Sequence, residues 1–167
     1  MIDAKSASED RDMTKTLASR LGLSKRKIDA IEVLGFELYQ QGRMREAGTI
    51  FDGLIALNGQ LYNGYAGKGA MALVEEKLDE ARDWLTQAIE RNTDDPTVHA
   101  NLGEALLRLG RFEEAAAAFE KTLRLDPQRK DPGANRARAI LAGMQAKAKE
   151  LKKIGATGQQ SHQNIDK

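Results

Sequence analysis

The sequence predicts an all-α chain, built as a tandem array of paired helices, an α-solenoid. Strong helix formers (Ala, Leu, Glu, Lys, Arg) dominate the 167 residues. Only three prolines and 5% aromatics argue against a sandwich of short strands and turns. Most telling, small and apolar residues recur at a constant step of 34: Gly35, Gly69, Gly103; Ala47, Ala81, Ala115; Phe51, Leu85, Phe119; Met44, Leu78, Phe112; Ile55, Ile89, Leu123. A fixed period of this length marks stacked two-helix units, each too small to bury its apolar face alone.

In chain order, residues 1–27 read as a tail and a short helix, with Met13, Leu17 and Leu21 four residues apart and Gly22-Leu23-Ser24 as the break. The array covers 28–127, in units of about 28–61, 62–95 and 96–129. In the first unit Ile28, Ile31, Leu34 and Leu38 share one helix face, Gln41-Gly42-Arg43 turns, and Ala47, Phe51, Leu54 and Ile55 mark the second helix. The second unit repeats this with Tyr65, Ala72, Ala81, Leu85 and Ala88. The third does so with Leu102, Leu106, Ala115, Phe119 and Leu123, and ends at Asp126-Pro127. Gly35, Gly69 and Gly103 are expected to let the first helix of a unit approach the second closely.

A stack exposes apolar faces at its ends and needs caps. Asp131-Pro132 is a helix start, with Asp as cap and Pro at the first position. Ala137, Ile140, Leu141, Met144, Ala148 and Leu151 then form one stripe. This predicts an amphipathic capping helix over 130–155 that stops at Gly155. Residues 1–10 and 156–167 are polar and small, and are expected to be disordered.

The repeated residues resemble the tetratricopeptide repeat, with its Leu-Gly, Ala-x-x-x-Phe and Pro signature. Leu102-Gly103, Ala115-x-x-x-Phe119 and Pro127 match, with His99 at the aromatic position. Leu34-Gly35 and Ala47-x-x-x-Phe51 match in the first unit, where Gly59 replaces the proline. Gly69, Ala81 and Leu85 match in the second, where Lys68 and Thr93 depart from the pattern.

Composition and motifs exclude much chemistry. There is no cysteine for a disulfide, thiol or zinc knuckle. Met1 to Ser6 carry no apolar run and no stretch has the length of a membrane span, so a cytoplasmic protein is the expectation. His99 stands at a packing position and His162 in the polar tail. No catalytic set, metal spacing or cofactor loop is present. Gly64-x-x-Gly67-x-Gly69 follows no strand, which argues against a nucleotide loop. Glu75-Glu76 and Glu113-Glu114 read as solvated pairs beside turns. A non-enzyme without catalytic residues, metal or cofactor is expected.

Net charge is +1, which gives no overall pull toward nucleic acid or membrane. It is unevenly spread, however: residues 129–153 hold eight Lys/Arg against Asp131 and Glu150. That basic segment leaves an acidic partner or nucleic acid as a third reading.

The family resemblance implies a concave groove lined by the first helices. Its lining is Asp29, Glu32, Phe36, Tyr39 and Gln40, then Asn63, Ala66, Ala70, Leu73 and Val74, then Thr97, Ala100, Glu104, Leu107 and Arg108, with Asn101 nearby. This gives a largely apolar floor, suited to an extended peptide. A carboxylate clamp has only Arg108 and Asn101 to draw on, with Glu32 and Glu104 opposing it. The layout also resembles the class II chaperones of type III secretion systems, with Leu38 to Ala47 and Gly67-Lys68-Gly69-Ala70 as the matching segments. That resemblance implies a translocator client held in the groove and self-association, as a homodimer, through the N-terminal region. A general scaffold for a bacterial assembly is the alternative.

Overall fold

A computed structural model describes residues 16–92 and 94–163, with side chains to Lys152. Among these residues there are eight helices and no strand: α1 Leu17–Arg20, α2 Lys25–Gln40, α3 Met44–Leu57, α4 Tyr62–Val74, α5 Leu78–Arg91, α6 Pro96–Arg108, α7 Phe112–Leu125 and α8 Pro132–Gln163. Helices α2/α3, α4/α5 and α6/α7 form three antiparallel pairs, and each pair stacks on the next. The first helices α2, α4 and α6 also touch one another in a row, and α8 stands beside α6 and α7 as the next in line.

The 34-residue columns are the core. Ala47, Ala81, Ala115, Phe51, Leu85 and Phe119 are all fully buried. The glycine column works as its spacing implies. A Cβ on Gly103 would lie 2.6 Å from Phe119 Cδ1, and one on Gly69 would lie 2.6 Å from Leu85 Cγ. Gly35 and Gly67, from α2 and α4, lie against the same Phe51 ring. The glycine-rich run 64–69 therefore lies in helix α4, where it admits the side chains of its neighbours and forms no phosphate loop. His99 is buried at 7% exposure, in a packing position.

Within each pair the turn closes the same way. The N–H groups of Arg43, Lys77 and Arg111 donate to the carbonyls of Leu38, Ala72 and Leu106, at 2.9 Å each. The residue before each donor takes positive φ: Gly42 at 74°, Glu76 at 61° and Gly110 at 76°. This left-handed helix end favours glycine. Where the first unit lacks a proline, the Gly59 carbonyl accepts a 2.6 Å bond from Arg91 Nε, whose guanidinium also lies over the Tyr65 ring at 3.8 Å. Thr93 falls outside the described residues.

Both ends differ from expectation. Helix α2 begins at Lys25 after Ser24, so the boundary drawn at residue 28 falls inside a helix, whose first turn carries a Lys25–Asp29 ion pair at 2.8 Å. Of the N-terminal helix, Leu17 and Leu21 lie in or beside α1, while Met13 is outside the described residues. Helix α8 is 32 residues long and passes through Gly155 to Gln163, so residues 156–163 are helical rather than disordered. A glycine inside a helix costs about 1 kcal/mol but does not end it unless a left-handed cap forms there. The apolar stripe of α8 also outruns its support. Ala137, Ile140, Leu141 and Met144 pack on the third pair, whereas Ala148 and Leu151 (the latter at 59%) are exposed among the described residues. No helix among the described residues is long and apolar enough to cross a membrane.

Candidate peptide-binding groove

The C-terminal halves of the first helices enclose a concave pocket of about 250 Å³. Tyr39 of α2 and Ala70, Leu73 and Val74 of α4 supply its apolar side. Asn101, Glu104 and Arg108 of α6 face them, with Glu76 in the α4–α5 turn and Arg136 on the first turns of α8. Seven of these nine are groove residues of the sequence reading, brought together from three units.

The polar side is an ordered network. Glu104 receives a guanidinium on each carboxylate oxygen: Arg108 Nη2 at 2.6 Å and Arg136 Nε at 3.1 Å. Arg136 Nη2 also donates to Asn101 Oδ1 at 2.5 Å. Arg108 Nη1 donates to the Leu73 carbonyl at 3.4 Å and lies 3.5 Å from Glu76 Oε1. Burial raises the Tyr39 phenol above its ordinary value of 10.0; Arg136 opposes the shift and Glu104 adds to it. The phenol therefore stays neutral at physiological pH, as an amphipathic part of the wall.

A second cavity of about 410 Å³ lies at the opposite ends of the same helices, between α2 and the start of α4. It holds Asp29, Glu32 and Asn63, together with Ile28, Leu61 and Tyr62. Asn63 Nδ2 donates to Glu32 Oε2 at 2.7 Å. Burial raises the Glu32 carboxyl, and the Asn63 bond only partly offsets it. The Tyr62 phenol is pushed up to about 12 by burial and by Asp95, to which it donates a 3.0 Å bond.

The remaining expected residues stand elsewhere. Phe36 is half-buried with its ring edge-on to Phe51, centroids 5.1 Å apart, as part of the first pair's core. Ala66 is 7% exposed and belongs to the second pair's core. Ala100 is 1% exposed and clusters with Ala137 of α8, and Leu107 packs against the same cluster. Thr97 donates to Asp131 at 2.8 Å. Gln40 is exposed. The apolar floor is thus shorter than expected, because Phe36 and Ala66 are taken into the cores of their own pairs and α8 packs on Ala100 and Leu107. Two lining residues escaped the sequence reading. Arg136 sits in a segment whose sequence reads as a cap and as a basic stretch, not as part of the groove. Glu76 is solvated, as expected, at 77% exposure, but it also borders the pocket, from the turn position that Gly42 and Gly110 hold in the other pairs. Among the described residues no cluster of His, Cys, Asp or Glu has the makings of a metal site.

A tetratricopeptide-repeat family model matches residues 72–130 and 100–153. No curated protein matches the chain by sequence. Solved structures do match. The type III secretion translocator chaperone SycD of Yersinia enterocolitica is 21% identical, with a TM-score of 0.64 over 77% of this chain and 97% of that one. PcrH of Pseudomonas aeruginosa, in complex with the chaperone binding region of PopD, is 25% identical, with a TM-score of 0.65 over 76% of this chain and 97% of that one. The TPR domain of Arabidopsis OM64 is 25% identical, with a TM-score of 0.60 over 70% and 95%. Period, helix pairing, glycine-to-aromatic packing and family match agree: the chain is a tetratricopeptide-repeat protein, and its fold is similar to that of the translocator chaperones of type III secretion.

Proposed function

We propose that the protein is a non-enzymatic, cytoplasmic chaperone that holds an extended, apolar segment of a client protein against the inner face of its first helices, in the manner of a type III secretion translocator chaperone. The observation that carries the reading is the pocket that Tyr39, Ala70 and Leu73 share with Asn101, Glu104 and Arg108, a concavity with an apolar side and a larger polar wall, which suits one side chain of an extended peptide. The likeness to PcrH, whose structure holds a chaperone binding region of PopD, supports the client class. A structure of SycD described as an alternative dimer supports self-association, here through the N-terminal region. A general scaffold is the second reading, favoured by the comparable likeness to the OM64 domain.

Leu73→Glu places a charge on the pocket floor. It is expected to reduce capture of clients from the native host at least tenfold while the helical signal in circular dichroism is kept. Leu73 is 6% exposed, so Asn101→Ala, on the wall, serves as the milder companion. Undiminished capture by both folded variants rejects the groove. Mass spectrometry of the captured proteins separates the two readings: translocator proteins support the chaperone, folded subunits of another assembly the scaffold.

A further inference from the structure

We infer that Glu76 is a specificity-determining residue of the groove. Its carboxylate offsets Arg108 at the pocket mouth, so that the pocket takes an uncharged apolar side chain of an extended client and disfavours an acidic one. The inference rests on the groove reading above and adds what the groove selects.

The first observation is conformational. Three turns of the array close with the same pair of backbone bonds, and two of them place glycine at the positive-φ position. The third places Glu76 there, at φ 61°. A residue with a Cβ adopts this conformation at a cost that glycine does not incur. The fold itself has no need of glutamate at this position, and residues held in sparsely populated backbone conformations cluster at binding sites.

The second observation is where the side chain lies. This turn borders the pocket, and Glu76 Oε1 is 3.5 Å from Arg108 Nη1. The neighbouring Glu75 instead pairs with Lys77 at 2.7 Å and lines a different hollow, beside Trp84.

The third is the charge count. The pocket wall holds two guanidiniums, Arg108 and Arg136, and they already share the single carboxylate of Glu104. With Glu76 the four groups balance. Without it the wall carries one excess positive charge beside an apolar floor, which invites a carboxylate. Glu76 is 77% exposed and Arg108 39%, so solvent screens the pair, and the expected effect is about two- to fivefold in preference.

A random nonapeptide library displayed on phage, selected on the wild type, Glu76→Gln, Glu76→Gly and Glu75→Gln, tests this. The wild type and Glu75→Gln are expected to enrich peptides with one apolar anchor and few acidic residues. Both Glu76 variants are expected to enrich Asp or Glu beside the anchor, with a two- to fivefold shift in affinity ratio for matched Leu and Glu peptides. The shift should shrink in high salt. Only Glu76→Gly should also raise the melting temperature, because only it relieves the backbone. Unchanged preference in both Glu76 variants overturns the inference while leaving the groove intact. A shift in the glycine variant alone overturns it too, since the cause is then conformation and not charge. Failure of the wild type to enrich any peptide that Leu73→Glu loses rejects the groove itself.

Discussion

Asp126 ends the third pair as Asn58 and Asn92 end the first two, and each accepts a backbone N–H from the loop that follows: Gln60 and Asp94 at 3.0 Å, Lys130 at 2.9 Å. The aspartate does more, because Arg138 of α8 lies 3.1 Å from its Oδ2. Burial alone would raise this carboxyl. The Lys130 N–H, the Arg138 guanidinium and the Asp131 N–H outweigh it and hold the group below its ordinary 3.8. The folded state therefore favours the charged form. The resulting stability is complete above the unfolded value and fades as pH falls through the lower folded one. Urea midpoints measured across acid pH are expected to drop below about pH 3.8 in the wild type, and this part of the profile should flatten in Asp126→Asn. Gly103 is a packing counterpart. The Phe119 ring fills the space a methyl group would need, with the nearest approach at 2.6 Å. Gly103→Ala is expected to destabilise the protein by about 1–3 kcal/mol through overpacking, read as a lower urea midpoint at unchanged slope. Such residues were legible in advance because a column of small residues facing a column of large ones is a pattern in sequence alone. Glu76 and Arg136 were not, since Glu76 sits in a turn and Arg136 on the capping helix, and only the fold brings these two to the pocket of the first helices.

Helix α8 shows where sequence periodicity stops being informative. The stripe from Ala137 to Leu151 is continuous in sequence, but the third pair offers a surface only as far as Met144. Periodicity tells which face of a helix is apolar and not how much partner surface exists to cover it. The same helix closes the pocket with Arg136 near its start and farther along carries Lys147, Lys149 and Lys152, all exposed. Ending the chain after Met144 is expected to change the free energy of unfolding by less than about 0.5 kcal/mol, because the removed side chains up to Lys152 are exposed. The helical signal should fall by the share of the lost turns. A marked fall in urea midpoint in the shortened chain would show that the overhang contributes to the fold.

At the scale of the whole molecule, stability is a sum of units and of the interfaces between them. The three pairs look alike in sequence, yet their borders are not alike. Among the described residues only the short α1 precedes the first pair, and Leu34 and Val33 remain 44% and 56% exposed there. The third is followed by a single helix instead of a pair. Phe51 marks the border between the first two pairs, and its ring lies against glycines of both: Gly35 in its own pair and Gly67 in the next. That one aromatic plugs a hollow shared by two modules, and the hollow in α4 was cut for it. The units are consequently not interchangeable bricks. Shuffling their order, or starting the chain at the second, would leave a bare notch of glycines where a ring belongs.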